Sequence, residues 1–408
     1  MATLHFAAPR LHARRWCGGC AQPAVCAAKP PKAKPAKPAA PAKPAKAAKP
    51  PKQQPDAAKK PAAKPRGDAA APRSPPPAPP APVQPPAPPA ATVAHPTADA
   101  LAALPALPAG PPLSAEQLLS FERDGHAALR GLLTAAEVTA LAPGLHAALD
   151  ARRVDAVRTG VRVALGEAAL VDDFGLPFDE ADELEDTMDE AGASVPFLQL
   201  FNGWRSGCAA ARRLACSPRL VHAAAALLGV APSQVRLYQD ALFVKRPGDG
   251  HTNWHADLAM APLDCNAFVT LWVPLAAVPA RADGGTALDY ASGSHRDVAL
   301  HYWGLDTDDL DGRFALADHG AMAAGDVSAH HGWTLHGAPP PNADATAPRA
   351  AFAVSYFADG ARLLDQPEGL GEGYDEDAES WSGWAAELGG GAIAAHAAVP
   401  LALAVEPR

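Results

Sequence analysis

The 408-residue sequence lacks the features of membrane and disulfide-stabilised proteins. It has no run of about 18 apolar residues, so no transmembrane helix is predicted, and the apolar core of a secretory signal is missing from its start. Its six cysteines are too few and too scattered for a disulfide framework. Cys17 and Cys20 form one C-x-x-C pair, but no second pair completes a zinc site, and we expect no metal or redox role for them.

Acidic residues are also missing from the beginning of the sequence, where the first is Asp56. The opening segment contains Arg10, Arg14 and Arg15, and a basic segment without acids is typical of an organelle transit peptide. We therefore predict a transit peptide over residues 1–26. The V-x-A pattern at its end favours a plastid, with a mitochondrion as the second choice and the cytoplasm as the third.

Residues 27–112 consist mostly of Pro, Ala and Lys. Such a composition cannot bury a core, so we predict a disordered extension that is partly polyproline II. Residues 1–98 hold 16 Lys or Arg against 2 acids, which leaves 19 basic residues against 42 acids for the rest of the chain. The basic tract leaves contact with nucleic acid or an anionic membrane open. For the acidic remainder we expect a small-molecule substrate rather than nucleic acid, and the oligomeric state stays open.

Helix signals mark the start of the folded sequence near Leu113. Ser114-x-x-Gln117 and Thr134-x-x-Glu137 have capping-box spacing, and apolar residues follow each of them at helical intervals. Further along, the patterns predict strands over 126–132, 197–204, 234–244, 267–275 and 286–292, and a helix over 218–228. Residues 172–190 contain ten acids and no base, which we interpret as a solvated loop or lid edge. A calcium site is the alternative, although the spacing of an EF-hand is missing.

A possible metal site is indicated by three residues. His255 and Asp257 are two apart, so on a strand both side chains point to the same face. His336 lies 81 residues downstream, and two histidines with one carboxylate suit a non-haem Fe(II) with open coordination positions. His330 and His331 compete for the third position, and we favour His336. The same three residues leave a zinc enzyme open as an alternative.

Arg349, thirteen residues after His336, strengthens the iron interpretation. Its guanidinium fork is suited to the distal carboxylate of a keto acid bound to the metal. Lys245 is also unusual, because it is the only lysine after Lys64. It either holds a substrate or co-substrate anion near the mouth of the site, or extends its charge to solvent from the end of a strand.

Several motifs together resemble the phytanoyl-CoA dioxygenase family of Fe(II)/2-oxoglutarate oxygenases. They are FVKRPG, WHAD, VTLWVPL, GGTALDYASGSH, GDV, LHG and the late Arg349, in order between about Leu113 and Phe357. The resemblance implies a mainly β fold with flanking α-helices, whose core is a double-stranded β-helix, or jelly roll. It assigns residues 113–365 to the oxygenase domain and 366–408 to a C-terminal tail that either covers the jelly roll or remains loose.

The resemblance also implies a cofactor set and further site residues. Fe(II) is the metal, 2-oxoglutarate the co-substrate and O2 the oxidant, while ascorbate stays open as a reductant. Trp272 is expected to line the 2-oxoglutarate pocket. Gln199 falls where relatives often have a lysine that contacts 2-oxoglutarate; an amide can hydrogen-bond a carboxylate but cannot neutralise it.

The expected reaction is hydroxylation of a small organic substrate, with release of succinate and CO2. Halogenating relatives lack the carboxylate that Asp257 provides, so its presence favours hydroxylation. A catalytically inactive jelly roll with a binding or regulatory role is the other alternative, besides the zinc enzyme, since a fold does not fix a function.

Overall fold

The computed structural model describes residues 93–191, 197–297, 310–341, 348–365 and 378–405. The predicted transit peptide, the Cys17 and Cys20 pair and residues 27–92 of the predicted extension lie outside this part of the chain. No helix of the described ranges is long and apolar enough to span a bilayer.

Helices flank a set of antiparallel strands. The helices are α1 (Ala98–Ala102), α2 (Ala115–Asp124), α3 (Ala135–Ala151), α4 (Arg153–Leu165), α5 (Ala181–Glu190), α6 (Ala209–Ala215), α7 (Pro218–Leu228), α8 (Leu310–Arg313) and α9 (Ala378–Leu388). The strands are β1 (His126–Leu129), β2 (Leu198–Phe201), β3 (Val235–Lys245), β4 (Thr252–His255), β5 (Leu263–Asp264), β6 (Phe268–Pro274), β7 (Asp289–Ser292), β8 (Ala315–Asp318), β9 (Val327–His331), β10 (His336–Ala338), β11 (Arg349–Ala358) and β12 (Arg362–Leu363).

Two antiparallel sheets form the predicted jelly roll. The larger has the strand order β1-β9-β6-β11-β3-β2 and the smaller the order β4-β10-β7-β8, while β12 and β5 form a separate pair. Apart from β2 with β3 and β7 with β8, neighbours in each sheet are not consecutive in sequence, as in a double-stranded β-helix. Both capping boxes form as predicted, at Ser114 and at Thr134, and they fix the starts of α2 and α3.

The strands of the larger sheet bury both faces, which explains their nearly continuous apolar sequence. On β6, Leu271 and Val273 belong to the main apolar core, which α3, α6 and α7 share. Thr270 and Trp272 alternate with them and point to the opposite face. There Trp272 joins an apolar cluster with Tyr290 of the smaller sheet. The inward positions of the larger sheet therefore line the space in which a site can form.

The folded part begins earlier than predicted. Residues 93–112 were assigned to the disordered extension, yet α1 lies among them, and Leu101 and Leu107 are buried. The Arg213 guanidinium donates a hydrogen bond to the Leu101 carbonyl, and the Leu107 carbonyl accepts one from Arg219 N. Two leucines are enough to anchor this segment. The composition of the sequence did not indicate this, because Pro and Ala residues predominate around them.

The acidic segment is also more ordered than the predicted loop. Its second half forms α5, an amphipathic helix with Leu184 and Met188 buried against the protein. Glu185 on the other side pairs with Arg153 and Arg246. The sequence analysis did not predict this helix, because its two apolar residues, four positions apart, are surrounded by many acidic residues.

The C-terminal segment covers the jelly roll instead of remaining loose. Trp381 and Trp384 of α9 are buried in a cluster with Phe268 and Phe357, the residues paired at one end of β6 and β11. The folded chain therefore continues beyond residue 365, at least through the described residues 378–405.

Candidate metal and co-substrate site

The three predicted metal ligands come together between the two sheets. His255 is the last residue of β4 and His336 the first of β10, and the two are directly paired in the antiparallel register. Asp257 follows β4 at the start of a short 3-10 turn. One ligand atom from each residue lies within 4.8 Å of the others. Strand pairing thus unites residues that are 81 positions apart in the sequence.

Gly337 allows this close pairing. A Cβ atom at position 337 would lie 2.9 Å from the Thr252 carbonyl oxygen of β4, a distance that side chains do not tolerate against backbone. Glycine therefore lets β10 approach β4 and sets His336 opposite His255. The close approach of the two strands therefore explains why the LHG motif contains a glycine.

Backbone hydrogen bonds orient both imidazole rings. His255 Nδ1 lies 2.8 Å from the Asn253 carbonyl oxygen and His336 Nδ1 lies 3.0 Å from that of Thr334. Donation from Nδ1 to a carbonyl places the lone pair on Nε2, the tautomer that a metal ligand needs. Each Nε2 atom lies 3.5 Å from Asp257 Oδ1.

The second oxygen of Asp257 is held from the opposite side. Thr270 Oγ1 donates to Oδ2 at 2.5 Å, and His330 Nε2 donates to it at 3.0 Å. Ser355 in turn lies 2.8 Å from Thr270 Oγ1. Asp257 therefore presents Oδ1 alone toward the two imidazoles. Sequence reasoning missed the roles of Thr270 and Ser355, since no local pattern links them to Asp257.

Neither His330 nor His331 lies where a third metal ligand is required. His330 contacts the outer oxygen of Asp257, and its ring centroid is 4.1 Å from that of His336. His331 is on the other face of β9, beside Phe121 of α2 and His295. The geometry brings His336 into the metal-binding group rather than either competitor.

The protonation states in this group suit metal binding. Burial opposes ionisation of Asp257, but the neighbouring imidazoles of His336, His255 and His330 outweigh it and hold the pKa of the carboxyl well below its ordinary value. Burial, with the neighbouring His330 and His255, lowers the pKa of His336 well below its ordinary range. A carboxylate and a neutral imidazole are the forms that ligate metals.

The donor set fits an iron ion. Ligand atoms at about 2.1 Å from a metal and at right angles to one another lie about 3 Å apart, and the 3.5 Å separations need only a small contraction. Two imidazoles and one carboxylate on one side of the ion leave other positions open, the arrangement of non-haem Fe(II) oxygenases.

Arg349 and Lys245 form a second polar group along the same sheet. They are register partners on β11 and β3. The Arg349 guanidinium donates to the Thr286 carbonyl, and its Cζ lies 5.4 Å from the centroid of the Trp272 ring. Trp272 is two positions from Thr270 on β6, so this group begins about 7 Å from the residues that hold Asp257.

Gln199 occupies an inward position of β2 and is 9% exposed. Its register partner is Phe243, one inward position before Lys245 on β3. Among the described residues no hydrogen bond joins Gln199 to Lys245 or Arg349. Of the predicted co-substrate residues, Arg349 therefore lies against Trp272 and is the register partner of Lys245. Gln199 lies opposite Phe243 on the neighbouring strand β2.

The jelly roll contains this His-Asp-His group, and Arg349 lies beside Trp272, about 7 Å further along the sheet. These features are those of the non-haem iron oxygenases that use 2-oxoglutarate. The chain is a member of the phytanoyl-CoA dioxygenase family (PhyH), whose pattern matches residues 121–349, more than half of the sequence. Fe(II) and 2-oxoglutarate are accordingly its cofactor and co-substrate, as the sequence resemblance implied.

Solved structures share the fold at low sequence identity. The non-haem alpha-ketoglutarate-dependent carbocyclase SnoK from nogalamycin biosynthesis is 21% identical, with a TM-score of 0.50, and the match covers 71% of this chain and 99% of SnoK. EctD from S. alaskensis, solved with 2-oxoglutarate and 5-hydroxyectoine, is 21% identical, with a TM-score of 0.44 and coverage of 66% of this chain and 84% of EctD. No curated protein matches the chain.

Proposed function

We propose that this chain hydroxylates a small organic substrate as a 2-oxoglutarate-dependent dioxygenase. The observation that carries the proposal is the placement of Asp257. Its carboxylate presents Oδ1 to the two histidines and is fixed through Oδ2 by Thr270 and His330. A carboxylate that occupies one coordination position leaves no place there for a halide, which favours hydroxylation over halogenation.

Each side chain has a role in this proposal. His255, Asp257 and His336 hold the metal, and Arg349 binds the distal carboxylate of the co-substrate while it packs against Trp272. Iron and 2-oxoglutarate, when bound, supply the oxidising power for O2 chemistry, with succinate and CO2 as products. Thr270 and His330 act on the reaction only through Asp257, so they are positioning residues.

The charge of the folded part restricts the substrate class. Beyond residue 98 the chain has 19 basic residues against 42 acids. A surface of this sign repels a coenzyme A thioester, whose nucleotide carries several negative charges. We therefore propose a neutral, cationic or singly anionic substrate, with free acids preferred to their coenzyme A esters.

The first experiment tests co-substrate binding. Fe(II) and 2-oxoglutarate are added without oxygen to the purified protein, and a weak visible charge-transfer band is expected. Asp257→Ala should abolish the band, whereas Asp264→Ala, which removes an exposed carboxylate of β5, should keep it. Tight zinc binding without the band would support the zinc enzyme instead.

The second experiment tests the reaction. Succinate is measured in oxygenated buffer, with and without ascorbate, across phytanoyl-CoA, its free acid, and small amino-acid and isoprenoid compounds. Product with one added oxygen atom should form together with succinate. Stimulation by the acyl-CoA alone would contradict the proposed substrate class. Co-substrate binding without turnover of any oxidisable compound would favour the inactive binding protein.

A further inference from the structure

A cavity lies outside the jelly roll, between α2, the end of α7 and the outer side of β9. Its volume of about 850 Å³ falls within the range of about 300–1,000 Å³ that is usual for small-molecule sites. His331 lines the cavity from β9, whereas the preceding residue, His330, contacts Asp257 inside the jelly roll. The cavity is therefore separate from the candidate metal and co-substrate site.

The walls of this cavity are largely apolar, and hydrogen bonds fix one of them. Phe121 of α2, Leu227 of α7 and the Trp333 ring are among the lining residues. Trp333 Nε1 donates to Asn266 Oδ1 at 3.0 Å, and Trp333 N donates to His331 Nδ1 at 3.1 Å. An aromatic wall that is held in place before binding suits a ligand with a large apolar or aromatic body.

Two exposed side chains of opposite charge also line the cavity. They are Arg296 and Glu122, and within the described ranges neither side chain forms an ion pair or a hydrogen bond. Asp297, the other acid of the lining, is already paired, because its Oδ2 lies 2.5 Å from Arg313 Nη2. The cavity thus offers a ligand one cation and one carboxylate.

The end of α7 adds acceptors to the negative groups. Ala226, Leu227 and Leu228 line the cavity and are the last residues of α7 before Gly229. The last carbonyl groups of a helix have no partner within the helix and carry the negative end of its dipole, so they favour a cationic donor. An ammonium group can therefore bind at the end of α7 as well as at Glu122.

A ligand with a single charge would match only part of this lining. An organic anion would match Arg296 but would be repelled by Glu122 and by the end of α7, and an organic cation would be repelled by Arg296. Burial lowers the pKa of His331 to about 4 and also lowers the pKa of His295, so neither imidazole adds a charge at pH 7. A zwitterion matches both signs.

We propose that this cavity binds an α-amino acid with a large apolar or aromatic side chain. Arg296 binds its carboxylate, Glu122 and the end of α7 bind its ammonium group, and its side chain packs against Phe121, Leu227 and Trp333. The inference goes beyond the proposed function and does not depend on it, because none of these residues belongs to the metal or co-substrate site.

The test is calorimetric titration of the full-length protein with three ligands that share an indole ring. L-Tryptophan carries both charges, and a Kd of about 1 mM or below is expected. Tryptamine lacks the carboxylate and indole-3-propionate lacks the ammonium group, so each should bind at least about tenfold more weakly. Equal affinity for L-tryptophan and either analogue would overturn the assignment of a zwitterion.

Variants place the ligand in the cavity. Ala226→Trp fills the cavity from an exposed position of α7 and should abolish L-tryptophan binding. Ala140→Trp adds the same ring at an exposed position of α3 and should leave Kd unchanged. Arg296→Met should weaken L-tryptophan binding about tenfold without weakening that of tryptamine. Glu122→Gln should weaken L-tryptophan binding without weakening that of indole-3-propionate.

The outcomes distinguish this inference from the proposed function. No binding of L-tryptophan to the wild type would overturn the inference, and so would binding that persists in Ala226→Trp, since the ligand would then lie elsewhere. The charge-transfer band with Fe(II) and 2-oxoglutarate should be the same in Ala226→Trp and the wild type, so the oxygenase stands or falls by its own test. If Ala226→Trp does not fold, the ligand preferences of Arg296→Met and Glu122→Gln decide.

Discussion

The two polar groups inside the jelly roll differ in the partners that the protein provides for their charged side chains. Around Asp257, the protein itself provides the partners: one carboxylate is hydrogen-bonded by Thr270 and His330 and faces two oriented imidazoles. Around Lys245 and Arg349, the contacts within the described ranges are to carbonyl oxygens and aromatic rings. The first group is organised by the protein's own hydrogen bonds, whereas in the second no carboxylate of the described residues pairs with either cation.

This difference agrees with the proposal that the first group binds the metal ion and the second binds the co-substrate. A metal ion needs ligands in fixed positions, and hydrogen bonds to the protein supply that rigidity before binding. A co-substrate that binds and leaves in every cycle needs attraction that is realised only when it is present. Substitutions in the two groups should therefore have different consequences.

The largest effect is expected at the metal group. Asp257→Ala, His255→Ala or His336→Ala should abolish turnover, because each removes one of three ligands. Iron content after gel filtration and succinate formation are the measurements. Substantial iron and activity in His336→Ala would show that another residue supplies the third ligand.

Arg349→Met should weaken 2-oxoglutarate binding by at least about a hundredfold, since two charge-assisted hydrogen bonds of about 1.5–3 kcal/mol each are at stake. Iron affinity should remain that of the wild type, which distinguishes the cation group from the metal group. The control is Arg362→Met, at an exposed position of β12. An equal loss of affinity for pyruvate would argue against contact with the distal carboxylate.

Thr270→Val should reduce iron affinity about tenfold to a hundredfold, as is usual when a group that orients a ligand is lost. Valine keeps the volume of threonine but cannot donate to Asp257 Oδ2. Competition with a chelator gives the affinity, and Thr270→Ser should restore most of it. Unchanged affinity in Thr270→Val would mean that His330 alone fixes the carboxylate.

The smallest effect on the site is expected at the residue next to His330. His331→Ala should leave iron affinity within about twofold of the wild type, because His331 packs on the outer face of β9 against α2. Desolvation at this half-buried position lowers the pKa of His331 to about 4, so it is neutral at pH 7 and its loss removes no charge. Loss of iron in His331→Ala with iron retained in His336→Ala would reverse the assignment of the third ligand.

Much of the fold was predictable because alternation and capping are local signals. The capping boxes at Ser114 and Thr134 and the helix over 218–228 agree with the structure. Predicted strands were longer than the observed ones where a turn follows, as after Phe201, where Asn202 adopts a left-handed conformation before a 3-10 turn. The helix within 172–190 was missed because its apolar positions are outnumbered by acids.

By itself the sequence indicated the jelly roll, the pair of His255 and Asp257, and Arg349, because their residue types and order suffice to indicate them. Only the tertiary structure decided which histidine joins Asp257, since His330 and His336 both face inward and their distances depend on strand pairing. It also decided that Lys245 is buried beside Arg349 rather than extended to solvent. Both outcomes depend on contacts between β3, β9, β10 and β11, and no local sequence pattern encodes distances between strands.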